Sequence, residues 1–475
     1  MAKDLHQFLE EYKEKEPTQV IEIDREISSE QEVTAIVLEL EKQQKYPILI
    51  FNNIVHPNGH KAKFPLVMNL LGSRQRCADA MGVSYDNAGT EYFRRTRLNR
   101  IDPVTISKSE APVKEVIYKG DEVNLFDIPA IKHFNSDPGS YISAGELTTA
   151  DPDTGIDNTS LQRGWIVGPR EIRCYLAKHT HNMLNFRKYE KMGKNMPVAY
   201  WVGHHPSAYL GGQARLGYPE SHYAAMGGLM GEPLRVVPSE TFGEELLVPA
   251  DAEIVIEGYL EAGERYPEGP FGEYTGYTGP QIPNPKFIVT AVTQRKNPYW
   301  MNFIVGTAGG QQWGNYVLEG LIYEIVKNSV PTLQKVHLPL SAQGRFHVYL
   351  QFKDPRPGDA REAIMQTLTI DPRIKHVFTF DDDIDIHDEA ECLFALATRT
   401  QWDRDVMVFP NTRSVGLDPS ADEDSVTTKG GIDCTMPAGR AYSNRNAIDK
   451  EVAERIKAVE YIDPNILNQV KSEKL

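Results

Sequence analysis

Between about residues 115 and 310 the chain abandons the helix–strand rhythm it has on either side. This middle segment is dense in Gly, Pro, Tyr and His. It carries short β-like runs: Ile254-Val255-Ile256-Glu257-Gly258-Tyr259-Leu260, Phe287-Ile288-Val289-Thr290-Ala291-Val292 and Met301-Asn302-Phe303-Ile304-Val305. Short strands at fairly regular intervals with turn residues between them predict a barrel or sandwich. Before it, Leu5, Phe8, Leu9 and Tyr12 recur at helical spacing and predict an opening helix. A second helix is predicted over about 30–43, with Ser29 and Glu32 as a capping box and Val33, Ile36, Val37 and Leu40 as the buried stripe. Strands follow at 46–51 and 66–71, and the polar, proline-interrupted stretch from Val104 to Val123 reads as a linker. After about residue 311 a helix is predicted at 314–328. Strands near 346–352, 376–380 and 405–409 then alternate with helices near 359–369 and 387–399, the pattern of βαβ units. Asp422-Glu423-Asp424 and the glycines at 430–431 predict a loop. Ile448, Val452, Ile456 and Val459 predict a final helix, at about 448–460, able to dock on a neighbour.

Charge narrows the partners. With 51 Lys and Arg against 66 Asp and Glu the net charge is −15, which argues against nucleic-acid binding through a general basic face. No apolar run is long enough to span a bilayer and the N-terminus has no apolar signal core, so no membrane partner and a cytoplasmic location are expected. The four cysteines, Cys77, Cys174, Cys392 and Cys434, form no CxxC pair, and buried, reduced thiols are expected. The fingerprints GxGxxG, GxxxxGK[ST], HExxH and GxSxG are absent, against ordinary dinucleotide, P-loop, zincin and serine-hydrolase chemistry.

The chemistry concentrates in Tyr266-Pro267-Glu268-Gly269-Pro270-Phe271-Gly272-Glu273-Tyr274-Thr275-Gly276-Tyr277. Pro270, Gly269 and Gly272 exclude a helix and predict a shaped loop. Its two carboxylates stand among aromatic residues. Burial raises a carboxyl pKa and a neighbouring arginine lowers it, so such a pair can divide acid and base roles. Asn158-Thr159-Ser160-Leu161-Gln162-Arg163 offers an amide, hydroxyls and a guanidinium, with Asn158, Ser160 and Gln162 on one face of a strand. Lys178-His179-Thr180-His181, His204-His205 and Glu220-Ser221-His222-Tyr223 supply imidazoles suited to a divalent metal. Asp381-Asp382-Asp383-Ile384-Asp385 follows an apolar run and reads as a solvated strand end rather than a cation site.

Four of these signatures occur in the order found in one family: Asn158 to Arg163, His179 before Leu184-Asn185-Phe186, Glu268 to Glu273, and Lys429 within Thr427-Thr428-Lys429-Gly430. On them the chain resembles the UbiD-type decarboxylases, which use prenylated FMN. The resemblance implies an N-terminal α/β domain (1–112), a central split-barrel flavin domain (113–310) and a C-terminal α/β domain (311–475). It implies Arg163, Glu268 and Glu273 as the catalytic set, with Glu273 as proton donor and Arg163 keeping Glu268 ionised. Asn158, Ser160, Leu161, Gln162, Arg163, Lys178, His179, Gln213, Ala214 and Lys429 correspond to positions around the cofactor. Asn158 and His179 match ligands of a Mn²⁺ ion bridging to the flavin phosphate. The family's third ligand is a glutamate, and here His222 stands in its place, with Glu220 as the alternative. A K⁺ ion held largely by backbone carbonyls is also implied.

The implied reaction is reversible, non-oxidative decarboxylation of an aromatic, heteroaromatic or α,β-unsaturated acid. The implied partners are that acid, CO₂ and a flavin prenyltransferase that supplies the cofactor, in a homodimer or hexamer. The polar stretch Gly309-Gly310-Gln311-Gln312-Trp313 favours a hydroxylated or heteroaromatic ring. The competing readings are an FMN-dependent oxidoreductase, for which the paired glutamates have no use, and a non-catalytic flavin- or metal-binding subunit.

Overall fold

The computed structural model describes residues 3–437, 441–467 and 469–470. The chain divides into two compact units, Met1–Thr435 and Met436–Leu475.

The middle segment folds as a curled, largely antiparallel sheet. Its strand order is Asp157–Leu161, Glu146–Ala150, Met196–Val202, Ile254–Leu260, Lys286–Gln294, Glu171–Cys174, Gly164–Gly168 and Tyr141–Ile142. Val116–Lys119 adds to the outer part of Lys286–Gln294, so the predicted linker is in part a strand of this sheet. Val104–Thr105, in the same stretch, pairs with Arg235–Ser239. The curl comes from register shifts. One lies between Glu257 and Gly258, where a Cβ on Gly258 would stand 1.9 Å from the Ile288 carbonyl oxygen. Only glycine lets the neighbouring backbone approach so closely. Met196–Val202 is buried throughout, because helices cover the face that would otherwise meet water.

The N-terminal segment forms a four-stranded sheet of Val20–Ile23, Ile48–Phe51, Leu66–Met68 and Trp300–Met301. The last strand arrives from the far end of the middle segment. The predicted strand at 301–305 is therefore reduced to Trp300–Met301, and the residues after it leave the sheet. The opening helix, Leu5–Lys15, buries Leu5, Phe8, Leu9 and Tyr12 as predicted. The second, Glu32–Lys42, buries Val33 and Val37, with Ile36 and Leu40 packed against the core. Its capping box does not form. Gln31 precedes the helix in a left-handed conformation (φ 62°), and Ser29 is buried with its Oγ 3.1 Å from His56 Nδ1. Glu32 accepts from the Ser28 backbone N–H instead (2.8 Å).

The C-terminal part of the first unit is a mixed five-stranded sheet: Leu333–His337, His347–Phe352, His376–Asp381, Val426–Asp433 and Val406–Arg413. Helices Asp359–Ile370 and Glu389–Arg399 complete it. The glycines at 430–431 lie in a strand rather than the predicted loop. A Cβ on Gly431 would meet Ile364 Cγ2 at 2.2 Å, so glycine there lets the helix Asp359–Ile370 sit against the sheet.

Helix Ala308–Ser329 begins before the predicted residue 314, and this is what carries it to the site. At 22 residues it spans roughly 33 Å. It crosses helix Ala88–Phe93 where Gly320 faces Gly89, whose carbonyl oxygen would stand 2.1 Å from a Cβ on Gly320. At the adjacent residue Arg74 forks onto Glu319 (2.9 and 2.8 Å), which also accepts from the Leu338 N–H (3.0 Å). That pair ties the N-terminal sheet, the long helix and the C-terminal sheet together.

In the second unit the predicted 448–460 helix is shorter: Lys450–Arg455, exposed throughout, followed by a turn at Ala458–Glu460. The side chain of Val459 lies outside the described residues. All four cysteines are buried, and burial pushes each thiol up to about 12. They have no use as nucleophiles at neutral pH. Among the described residues no helix is long and apolar enough to cross a membrane.

Candidate active site

Arg163 lies in the short connection between strands Asp157–Leu161 and Gly164–Gly168, at the inner wall of the curled sheet. Its guanidinium forks onto Glu268, with Nε to Oε1 at 2.9 Å and Nη2 to Oε2 at 2.7 Å. Nη1 donates to Glu273. The ring of Tyr175 lies 4.4 Å from the guanidinium carbon and that of Phe271 4.7 Å. Two aromatic faces and two carboxylates thus hold one cation in a fixed plane.

The loop that presents the glutamates is built from its own sequence. Glu268 ends the strand Tyr266–Glu268 and Phe271–Gly272 forms a second short strand. Between them Gly269 has φ +86°, and a Cβ there would crowd the Pro280 carbonyl at 3.1 Å. Asp137 accepts from the Gly272 N–H (3.0 Å) and the Phe134 N–H (3.0 Å), which pins the far side of the loop. Glu273 N–H donates to the Tyr277 carbonyl (2.9 Å) and closes the turn.

The two carboxylates differ. Glu268 is fully buried and takes both arms of the arginine fork, with the Tyr141 hydroxyl 3.5 Å away. Glu273 receives one arm and lines a cavity of about 670 Å³. Burial pushes its carboxyl above the usual carboxylate value; Arg163 opposes this, and the neighbouring charge of Glu268 adds to it. For Arg163 burial acts to lower the pKa, but the two glutamates overcome it and the net direction is up. Of the two glutamates, Glu273 is the one on the cavity side.

The cavity gathers most of the predicted residues: Asn158, Ser160, Leu161, Gln162, Arg163 and Glu273 on one side, His179, Gln213, Ala214 and His222 on another. Asn158 donates its amide nitrogen to Asn182 Oδ1 (2.5 Å), so its carbonyl oxygen is the atom available as a ligand. His222 Nε2 lies 3.2 Å from the Ala214 carbonyl, while its Nδ1 is buried with no hydrogen-bond partner. Burial pulls His222 down to about 4, so the ring is neutral at neutral pH, the form a metal requires. His179 lies exposed at the rim. Among the described residues no three His, Cys, Asp or Glu side chains converge as a metal cluster.

Other predicted residues are elsewhere. Glu220 accepts from the Gly217 N–H (2.6 Å) and pairs with Arg100 (3.2 Å), outside the cavity lining. Lys178 is exposed and is not part of the lining. Lys429 is buried and donates to the carbonyls of Leu368 (3.1 Å) and Asp371 (3.3 Å), so it is engaged at the end of a helix rather than facing the cavity. His204 and His205 are buried away from the cavity, with His204 Nδ1 accepting from the His205 N–H (2.8 Å). Asp381 and Asp383 both pair with Arg399 (2.9 and 2.5 Å), so the acidic run closes on an arginine and is no cation site. Residues without a sequence signal also line the cavity, among them Tyr175, Arg215, Arg345 and Arg373. Isolated arginines and a tyrosine carry no spacing that marks them in advance.

The family comparisons cover nearly the whole chain. Residues 13–96, 104–308 and 312–434 match the N-terminal, Rift-related and C-terminal domain models of 3-octaprenyl-4-hydroxybenzoate carboxy-lyase, UbiD. The anhydromevalonate phosphate decarboxylase of Methanosarcina mazei is 31% identical over 426 residues, covering 89% of this chain and 94% of that protein. The UbiD-class enzyme HmfF from Pelotomaculum thermopropionicum, solved in complex with FMN, superposes with TM-score 0.89 at 31% identity, over 97% of this chain and 100% of HmfF. An evolved dimeric form of the same enzyme, in complex with prFMN, gives TM-score 0.86 at 30% identity, over 97% and 100% of the two chains. The chain belongs to the UbiD family of carboxy-lyases.

Proposed function

We propose that this protein is a prenylated-FMN-dependent decarboxylase of an aromatic, heteroaromatic or α,β-unsaturated carboxylic acid, with Glu273 as the proton donor. The observation that carries the reading is the Arg163 bridge between a fully buried Glu268 and a cavity-facing Glu273 whose carboxyl burial pushes above the usual carboxylate value. Hydride transfer has no need of two glutamates held this way, which sets the oxidoreductase reading behind.

A cavity of about 670 Å³ lies in the size range of cofactor sites, and its wall holds the unpartnered His222 Nδ1. The donor set fits a phosphate-bearing flavin with a divalent ion, and the FMN and prFMN complexes of HmfF support the same cofactor here. Asn158, His179 and His222 would hold the ion, for which we favour Mn²⁺. When bound, prenylated FMN supplies the electron sink that loss of CO₂ from an sp² carbon requires.

The chain's own residues do the rest. Phe271 and Tyr175 keep water from the Arg163 guanidinium. Arg163 neutralises Glu268 and aligns the substrate carboxylate by charge. Glu273 delivers its proton to the carbon that has lost CO₂, and takes one from it in the carboxylation direction. The same reading gives the protein a homo-oligomeric state and a flavin prenyltransferase as maturation partner.

The test is anaerobic purification after co-expression with a flavin prenyltransferase, followed by the absorbance spectrum and mass of the released cofactor and a screen of acids for CO₂ release. Glu273→Gln is expected to keep the cofactor and lose CO₂ release. Ordinary FMN in a fully active enzyme, or normal turnover by Glu273→Gln, would overturn the reading.

A further inference from the structure

We propose that Arg215, Arg345 and Arg373 form an anion subsite beside Glu273 that binds a second anionic group of the substrate, a phosphate monoester or a carboxylate. The inference rests on the decarboxylase reading and extends it to the substrate's far end.

All three arginines line the cavity that Glu273 lines. Two of them share one carboxylate. Arg373 forks onto Asp371 at 2.9 and 2.9 Å, and Arg215 pairs with the same Asp371, whose side chain is fully buried. The third has none. Arg345 Nη1 donates to Asn315 Oδ1 and to the Gly344 carbonyl, both at 2.6 Å, and among the described residues no carboxylate reaches it. It is only 7% exposed. A guanidinium so buried without a counter-charge is costly unless a ligand supplies one. Burial and the neighbouring Arg373 pull Arg345 down to about 9 against the opposing charge of Asp371, which Arg215 and Arg373 already share, so Arg345 stays charged at neutral pH with no carboxylate bonded to it.

Three cations against one carboxylate leave a net charge of about +2, matched by a phosphate monoester dianion. A further buried polar group faces the same space. Tyr274, next in sequence to Glu273, lines the cavity, feels the charges of Arg373 and Arg345, and keeps a buried hydroxyl with no hydrogen-bond partner. An anion seated on the arginines would give that hydroxyl an acceptor.

Two of the three arginines stand apart in sequence from the metal-ligand end: Arg345 and Arg373 come from the C-terminal sheet region, whereas Arg215 follows Gln213 and Ala214 in the middle segment that also supplies Asn158, His179 and His222. A substrate with its reacting carboxylate near Arg163 and Glu273 and a second anion on the arginines would span the cavity in one orientation. The sequence reading of Gly309 to Trp313 as a pocket for a hydroxylated ring then gives way to a doubly anionic substrate.

The test uses FMN-loaded protein and isothermal titration calorimetry in chloride-free buffer, with inorganic phosphate and succinate as probes. Wild type, Arg345→Met, Arg373→Gln and the conservative Arg345→Lys are compared, and FMN content and melting temperature are measured alongside. One anion is expected to bind per wild-type chain, weakened about tenfold or more in Arg345→Met and Arg373→Gln and less in Arg345→Lys, with FMN content unchanged. Tighter phosphate assigns a phosphate monoester; tighter succinate assigns a carboxylate. The proposal falls if the protein takes flavin and phosphate then binds only its flavin-free form, or if FMN retention drops together with the arginines, because the cluster then holds the cofactor's own phosphate. It also falls if the probes bind all four proteins alike. A chain that takes no flavin yet binds phosphate through these arginines would refute the flavin reading and leave the anion subsite standing.

Discussion

Replacing Arg163 with Met removes the cation that two buried carboxylates share while keeping an apolar stem between Tyr175 and Phe271. Removing one partner of a buried pair costs about 3–5 kcal/mol, since the remaining charge is left uncompensated. An unfolding entropy of about 2.1 cal/mol/K per residue over 475 residues gives about 1 kcal/mol/K, so the melting temperature is expected to fall by about 3–5 °C. The pH dependence carries more information. Without the guanidinium the opposing pull of Arg163 on Glu273 is gone, so burial and the charge of Glu268 raise the Glu273 carboxyl further, and the proton it holds in the folded state is released on unfolding. A carboxyl raised in the folded state contributes stability that declines as pH rises above its unfolded value. Each extra proton held by the folded chain adds about 1.4 kcal/mol per pH unit to that decline. Thermal melts of Arg163→Met from pH 5 to 8 are therefore expected to fall more steeply than wild type, by about 1.4 °C per pH unit for one added proton. Arg163→Lys keeps the charge and is expected to restore the wild-type slope while losing the fork. An Arg163→Met melt parallel to wild type across that range would refute the shared-cation account.

Glu319→Gln leaves Arg74 buried without a full counter-charge and is expected to cost about 3 kcal/mol in thermal or denaturant unfolding. Arg74 holds the Glu319 carboxyl well below the usual carboxylate range despite burial, so its contribution is present above the unfolded value and is lost as pH falls toward the folded one; Glu319→Gln is expected to flatten the acid limb of stability. Gly320→Leu places a side chain against the Gly89 carbonyl and is expected to destabilise by about 2–3 kcal/mol, read by a shifted unfolding midpoint. His222→Ala is expected to lower bound divalent metal per chain in elemental analysis, whereas Glu220→Ala is expected to leave it unchanged, because Glu220 is engaged by Arg100 and Gly217.

Much of this protein is legible from its residues because the signals are local. Leu5, Phe8, Leu9 and Tyr12 specify a buried helical stripe by period alone. Ile254–Leu260 is found as a strand with the boundaries its run of β-formers predicts. Pro270 and the flanking glycines exclude a helix around Glu268 and Glu273, and four ordered signatures, the paired glutamates among them, carry the resemblance to the family. What stayed hidden depends on partners remote in sequence. The stretch Val104 to Val123 reads as a linker until Lys286–Gln294 offers Val116–Lys119 an edge to pair with, and Ser29 reads as a cap until His56 takes its hydroxyl. Lys429 matches a cofactor position by sequence, yet its ammonium is spent on the carbonyls of Leu368 and Asp371.

By itself the sequence determined the helix and strand periods, the shaped loop and the residue types of the acid–base pair, because sterics and hydrophobic spacing act over a few residues. Only the tertiary structure decided that one guanidinium would be shared by Glu268 and Glu273, that Glu273 and not Glu268 would face the cavity, and that Arg345 would be buried beside Arg373 without a carboxylate of its own. Protonation and charge balance depend on burial and on neighbours more than a hundred residues away, and no local rule reports them.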